Sequence, residues 1–538
     1  MRYMLNTIVR FAALVLCMGV VATSCGDSSR DEVLKVYNWG DYIDEDLLNE
    51  FEEWYEEKTG CEVSVIYQTF DINEVMLAKI EKGEADFDVV CPSEYIIERM
   101  MRNDLLQPIV TDQFLADLED TDTDNYFGCV SPYIVGQFDH IIAPEGHNPN
   151  DYSVGYMWGT TGILYNTDYV TEEEALSWDL MFDERLEGKI LVKDAFRDVY
   201  SPMLVYALTV ELREQGILSE NDTLPLNDAV AEERGLKGVV PTIEELMYDA
   251  SDESIAHVEE YLKRMKQLVA GWEADFGKEM MTQNKAWINL MWSGDAVWAI
   301  EEAAEVGVSL DYEVPEEGSV VWFDGWVIPK YARNPRAARY FINYMCMPEN
   351  AVRNMDATGY VSVVGASETL DAMELLNPVL AEIDALAAEL AECEDASEVA
   401  ALKESLAELE AERDDILDMG ASDLSYFFKN EDGTPLRFID EDGYEVRADS
   451  VYVDSILYPD ISVINRCAMM HDSGTQTDNM LEMWSRVKGD NLSLSMLIFI
   501  IVSFLTLAVW GIWRRVDAYR KQQLMLKRRR HAQRKQQR

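Results

Sequence analysis

The sequence predicts an α/β protein of two or more lobes, and three observations carry that expectation. Strand and helix patterns alternate from residue 33 to about residue 101. A second α/β region opens near Asp151. Between a leader at one end and a charge-free segment at the other lie about 460 residues, too many for one small core.

The first region reads as β-α-β-α-β. Residues 33–39 are an apolar strand. Residues 44–58 are a helix with Leu47, Leu48, Phe51 and Trp54 on one face and Gly60 placed to end it. Residues 61–67 are a second strand. Residues 73–82 are a second helix, stopped by Gly83, and 87–91 are a short buried strand. Pro92-Ser93-Glu94-Tyr95 then opens a third helix. Such an order gives a parallel sheet with right-handed crossovers, and ligands of such sheets bind beyond the carboxyl ends of the strands. From Asp151 onward YMWGTTGILYN and KILVKDAFRDVY suggest further α/β structure, and 242–269 reads as one long helical region. Residues 287–300 are a strand running into a helix, and 319–330 a strand broken by Asp324-Gly325. Helices follow at 335–345 and 349–355, then Gly359-Tyr360.

Residues 378–450 differ in texture. Val379, Ile383, Leu386 and Leu390 step by four and three, as do Leu402, Leu406, Leu409, Arg413 and Ile416. Asp395 with Glu398 offers a capping-box start between the two runs. The pattern predicts an acidic antiparallel helical hairpin, followed by a small β element set by two Asp-Gly turns.

The ends give the setting. Residues 1–25 carry Arg2 and Arg10, a short apolar stretch and then Ala22-Thr23-Ser24-Cys25. That is a secretory signal, and its end resembles a bacterial lipoprotein cleavage box with Cys25 as the lipidated residue. Residues 492–513 hold no charge and at 1.5 Å per residue span a ~30 Å hydrocarbon core. Residues 514–538 carry eleven Lys or Arg against one Asp. Charge that dense stays on the cytoplasmic side, so residues 26–490 are expected outside.

Charge and motif narrow the function. The chain carries −56, and setting aside the +10 of the tail leaves −66 on the first 513 residues. So acidic a surface repels nucleic acid and anionic lipid and tolerates cations. There is no phosphate-cradling GxxxxGK[ST], no GxSxG and no HExxH. Asp120 begins a stretch like a calcium loop but lacks its central Gly and closing Glu. No metal or cofactor is expected, and no catalytic residue is proposed. Cys61, Cys91, Cys129, Cys346, Cys393 and Cys467 are scattered, so most are read as buried apolar residues and no disulfide framework is expected.

What remains is an aromatic and acidic constellation at strand ends and loops: Trp39, Tyr42, Ser93, Tyr95, Asp198, Trp292, Trp322, Asp324 and Tyr360. Aromatic faces hold cations and cover methylenes, while carboxylates hydrogen-bond ammonium groups. A flexible ligand with spaced positive charges needs that alternation; a phosphate would need Arg or a glycine-rich helix start.

KVYNWGDYID, YQTFDINEVMLAKI, FDVVCPSEYIIERM, WGTTGILYN, WFDGWVIPK, Gly359-Tyr360 and LYPD at 457–460 resemble, in order, the polyamine (spermidine/putrescine)-binding proteins of bacterial ABC importers. The resemblance covers roughly residues 33–370 and 456–488. It implies a two-lobed periplasmic-binding-protein fold (type II) that closes on a polyamine and delivers it to separate permease and ATPase partners. It also assigns the nine residues above to the ligand. Gly40 stands where a Thr is often found, Asp194 beside Ala195 can substitute for a further acid, and Met470 replaces a Gln.

The division expected is 1–25 leader, 26–150 first part of lobe 1, 151–318 lobe 2, and 319–377 return to lobe 1. Residues 378–450 are an inserted hairpin and β element, and 451–490 the last part of the binding domain. Residues 492–513 are a membrane helix and 514–538 a cytoplasmic tail. The alternative function is a membrane-anchored sensor or scaffold built on the same domain.

Overall fold

The computed structural model describes residues 30–83, 86–273, 276–430 and 432–489. The leader with Cys25, the segment 492–513 and the basic tail lie outside the described residues. No described helix is long and apolar enough to cross a membrane. The described residues up to Met483 form one compact unit. Of a second unit, from Trp484, only the end of the helix Thr477–Lys488 and Gly489 is described.

β1 (Val33–Trp39) lies between β2 (Ser64–Phe70) and β3 (Val89–Val90) and runs parallel to both, as the β-α-β-α-β reading expects. Val33-Leu34 and Val36-Tyr37 are buried on either side of half-buried Lys35, close to the near-continuous apolar run of a strand covered on both faces. α1 (Asp46–Thr59) ends at Gly60, whose φ of 68° needs a residue without a Cβ penalty. It buries Leu47, Phe51 and Tyr55; Leu48 and Trp54 are only half-buried. α2 (Asn73–Glu81) packs against β2, and α3 (Glu94–Arg102) packs against α2 and the strand Ser319–Pro329.

β4 (Leu106–Gln107) precedes the longest strand, β5 (Ser153–Asn166), which is buried at every position. β6 (Ile190–Lys193) feeds α4 (Phe196–Glu214). The expected helix over 242–269 is instead two helices, Ile243–Met247 and Asp252–Met265, followed by β7 (Val269–Glu273). Ser251 caps the second helix by accepting from Ser254 N–H, so the chain restarts there. β8 (Ile288–Trp292) runs straight into α5 (Ser293–Glu305), as expected. β9 (Leu310–Glu313), β10 (Ser319–Pro329), β11 (Val361–Ser362) and, later, β14 (Cys467–Ala468) complete the large sheet. A small hairpin, β12 (Arg437–Ile439) with β13 (Glu445–Arg447), stands apart from it.

The sheet follows the order β2-β1-β3-β10-β5-β8-β6-β7. β5 and β10 pair with each other antiparallel and serve both halves. The C-terminal end of β10 reaches β3 and β4, and the C-terminal half of β5 reaches β8 and β9. The break expected at Asp324-Gly325 is not a strand end. β10 continues through it, and the ladder with β5 merely shifts register there, skipping Tyr156. A bulge of this kind bends a strand and re-aims its side chains without ending it. Trp322 and Asp324 therefore sit mid-strand.

Residues 376–419 form two helices, Leu376–Glu392 and Ala396–Met419, joined by a three-residue turn. Asp395 caps the second by accepting from Ser397 and Glu398 N–H, while the Glu398 carboxylate takes the Cys393 thiol. Of the six cysteines, Cys91, Cys346 and Cys467 are buried; Cys61 is exposed, and Cys129 and Cys393 are half-buried. The expectation that most are buried holds for half, because three fall in turns or at element ends.

Candidate ligand-binding site

Asp324 is the centre of the first cluster. Tyr42 OH donates to its Oδ2 at 2.9 Å and Ser93 Oγ to its Oδ1 at 2.6 Å. Ser93 occupies the N-cap position of α3, yet its hydroxyl makes no cap bond. A local preference has been given up for a contact between distant strands. Asn73 Nδ2 donates to Ser93 Oγ and to Tyr95 OH, both at 3.0 Å, and Tyr95 OH donates to Glu74 at 3.4 Å. Burial pushes the Asp324 carboxyl up to about 7; the two hydroxyls oppose this, and the charge of Asp198 adds to it.

Asp198 lies in the first turn of α4 and accepts the Trp292 indole N–H at 2.9 Å. Burial pushes it up to about 6; the indole bond and Lys193 oppose, and Glu74 adds. Its neighbour Arg197 turns elsewhere. That guanidinium stacks 4.5 Å from the Tyr95 ring and donates to His471 O at 2.8 Å.

Aromatic rings join the two acids. Tyr360 meets Tyr42 at 5.1 Å and Trp322 at 5.7 Å, both edge to face. Gly294 and Gly159 permit this packing: a Cβ on Gly294 would strike the Tyr360 ring, and one on Gly159 the Trp322 ring. Tyr360 OH donates to Asp295 at 2.9 Å. Asp295 pairs with Lys193 at 2.6 Å; Lys193 also meets Glu273 at 3.5 Å and lies 4.4 Å over the Trp292 ring. Burial alone would raise the Asp295 carboxyl, but Lys193 and Lys278 outweigh it and hold the group below its ordinary value.

Eight of the nine expected residues thus belong to one network: Tyr42, Ser93, Trp322, Asp324 and Tyr360 through direct contacts, Tyr95 through Asn73, Trp292 through Lys193 and Asp295, and Asp198 through Trp292. Trp39 is half-buried at the end of β1 and packs on Phe70 at 4.5 Å, with no described contact to either acid. Gly40 is exposed, and a Cβ there would meet nothing within 4 Å, so a larger residue would fit. Asp194 follows β6, half-buried, its N–H donating to Glu273 O at 2.6 Å.

Sequence reasoning missed Asn73, Lys193, Glu94 and Asp295. A lysine closing the apolar run Ile190-Leu191-Val192 was the available signal, since a charge there must find a partner. Glu94 is fully buried. One oxygen accepts Phe323 N–H at 2.9 Å and the other has no partner; burial, with Asp324 and Asp198 nearby, keeps its carboxyl well above the ordinary range.

Chemically, Asp198 and Asp324 are two desolvated acids with no Lys, Arg or His in ion-pair distance among the described residues. Such groups favour a cation brought from outside. The ring faces of Trp292, Trp322 and Tyr360 suit the apolar carbon between cationic groups.

The family profile of the bacterial extracellular solute-binding proteins matches residues 49–374, more than half of the chain. The chain belongs to that family. Members bind solutes rather than transform them, and they work outside the cytoplasm. The solute-binding protein is 27% identical over 371 residues to the spermidine/putrescine-binding periplasmic protein of Escherichia coli, covering 69% of this chain and 86% of that one. It is 26% identical over 381 residues to the putrescine-binding periplasmic protein PotF of the same organism, covering 69% and 87%. A solved structure from Listeria monocytogenes, assigned to a spermidine/putrescine ABC transporter, superposes with a TM-score of 0.54 at 24% identity, covering 85% of this chain and 99% of that one. This likeness supports a periplasmic-binding-protein-like fold for the mixed sheet described above. The family match ends at residue 374, just before the helix Leu376–Glu392.

Proposed function

We propose that this solute-binding protein captures a polyamine and delivers it to an ABC permease driven by a separate ATPase. The observation that carries the reading is the pair of desolvated carboxylates, Asp324 and Asp198, linked through Tyr42, Tyr360, Asp295, Lys193 and Trp292 and lacking a cationic partner among the described residues. Trp39, Tyr42, Ser93, Tyr95, Trp292, Trp322 and Tyr360 complete the binding set, with Asp194 and Gly40 at its margin. The relatives whose names specify spermidine or putrescine support the same class of ligand. Titration calorimetry with putrescine, spermidine and spermine tests it: at least one is expected to bind below ~100 μM, or ~5.5 kcal/mol. No binding of any of the three overturns the polyamine assignment.

The ends of the chain support a second part of the reading. The domain is tethered outside the cytoplasmic membrane by lipidated Cys25 and by a membrane helix at 492–513, with 514–538 inside and 378–450 an addition to the family's pattern. Protease added to intact spheroplasts should digest the domain and spare a small membrane fragment carrying the tail. Cleavage from outside of a tag placed after Arg538 would reverse the orientation.

A further inference from the structure

Three carboxylates gather at the aromatic walls, and they are not equivalent. Asp324 is held by two hydroxyls and Asp198 by an indole N–H, with no cation of the chain in ion-pair distance among the described residues. The third, Asp295, is held by Lys193 at 2.6 Å, by Lys278 at 3.5 Å and by Tyr360 OH. Lys193 is only 1% exposed. Its ammonium sits 4.4 Å over the ring of Trp292, and Trp292 is the residue that donates to Asp198.

The ammonium of Lys193 therefore already makes the two contacts that a polyamine ammonium would seek, an indole face and a carboxylate. Three further acids stand near: Glu273 is fully buried, 3.5 Å from Lys193, and committed to Gly277 N–H and Asn289 Nδ2. Glu74 is half-buried and accepts the Tyr95 hydroxyl, and Glu94 is committed by one oxygen to the Phe323 N–H. That leaves Asp324 and Asp198 as the desolvated acids that need an external charge.

We propose that Lys193 sets the length and charge of the ligand: its ammonium fills a third cation place beside Trp292, so that the site selects a diamine over triamines and tetramines. The inference rests on the polyamine reading above. A diamine matches Asp324 and Asp198 one for one. A third ammonium would approach the fixed charge of Lys193 in a site of low dielectric, with Asp295 already neutralised, and would be repelled there. A lysine at this position acts as a built-in competitor that cannot dissociate.

The test compares putrescine and spermidine by calorimetry on the whole extracellular domain, in the wild type, Lys193→Met and Lys193→Met/Asp295→Asn. The double variant removes the cation together with its nearest acid, and Glu273, the other acid beside Lys193 at 3.5 Å, keeps its hydrogen bonds from Gly277 N–H and Asn289 Nδ2 if the single variant folds poorly. The wild type is expected to favour putrescine by at least ~10-fold, and each folded variant to reduce that ratio by ~10-fold or more. Wild-type preference for spermidine, or none, overturns diamine selection while leaving polyamine binding in place. A preference for putrescine that both variants keep, or a loss of both ligands alike, shows that Lys193 is structural only. If the wild type binds neither amine, the polyamine reading itself fails.

Discussion

Asp324→Asn is expected to weaken polyamine binding by at least ~10-fold while leaving the protein folded. The carboxylate is desolvated, held by two hydroxyls, those of Tyr42 and Ser93, and has no cationic partner among the described residues. Truncating one partner of a buried, hydrogen-bonded charge pair costs about 2–5 kcal/mol, because the remaining charge stays buried and unpaired. Asparagine keeps an oxygen for one of the two hydroxyls and removes a buried carboxyl, so the ligand-free fold loses little. Asp198→Asn should behave similarly, since the amide oxygen can still accept from Trp292. Replacing Trp322 should cost less, about 1–2 kcal/mol, as a cation–π contact is weaker than a charge pair. The control is an exposed acid, Glu53, expected to change binding by under ~1 kcal/mol. Its neighbour Glu52 would mislead, because its carboxylate accepts Val65 N–H at 2.6 Å and so supports β2. Calorimetry on the four variants, with thermal melts for folding, decides the matter. Equal losses at Asp324, Asp198 and Glu53 would mean a diffuse attraction of cations to an acidic surface.

The second large effect is on pH. Burial raises the Asp324 carboxyl to about 7 and Asp198 to about 6, whereas an ammonium needs both ionised. Affinity should therefore climb as pH rises from about 5 to about 7 and level off above, and binding near pH 6 should release protons. Below both values two protons must leave, so the slope approaches ~100-fold per pH unit. Stability of the ligand-free protein moves the opposite way. Both groups have folded values above their ordinary 3.8, so the stabilising contribution of the protonated acids is fully present below that value. It is lost as pH rises through about 6 and about 7. Thermal protection by ligand should accordingly grow with pH over the same window. Calorimetry in two buffers of different ionisation enthalpy counts the protons, and Asp324→Asn should remove the upper step. An affinity that does not change across this range would contradict the desolvated state of both acids.

The parts of the fold set by local pattern were legible. The first three strands and their helices follow from apolar runs punctuated by Gly60 and Gly83, because periodicity and turn chemistry act over a few residues. The roles of β5 and β10 were not. β5 is buried throughout, so it shows no alternation to reveal its two faces, and its partners lie more than a hundred residues away. Asp324 was singled out for a partly mistaken reason: Gly325 looked like a strand break and is a bulge. The tyrosines and tryptophans of the site were legible because rings beside acids are unusual at strand ends. Lys193 and Asp295 were not, since two charges 102 positions apart carry no mutual signal. Glu94 was not singled out, because an acid in the first turn of a helix is common, and only packing shows that it is buried.

The pairing of β5 with β10 has a consequence in time. The bonds that define the site close very long loops: Tyr42 to Asp324 spans 282 positions and Ser93 to Asp324 spans 231. Contacts of such separation slow folding, because the chain entropy is spent before the contact returns anything. While a chain is being extruded from its N-terminus, Tyr42 and Ser93 emerge long before their acid does. Solute has no complete site to recognise until β10 has arrived and docked. Its leverage on the protein then lies in the return direction: it acts as a brake on unfolding and contributes nothing to the speed of assembly.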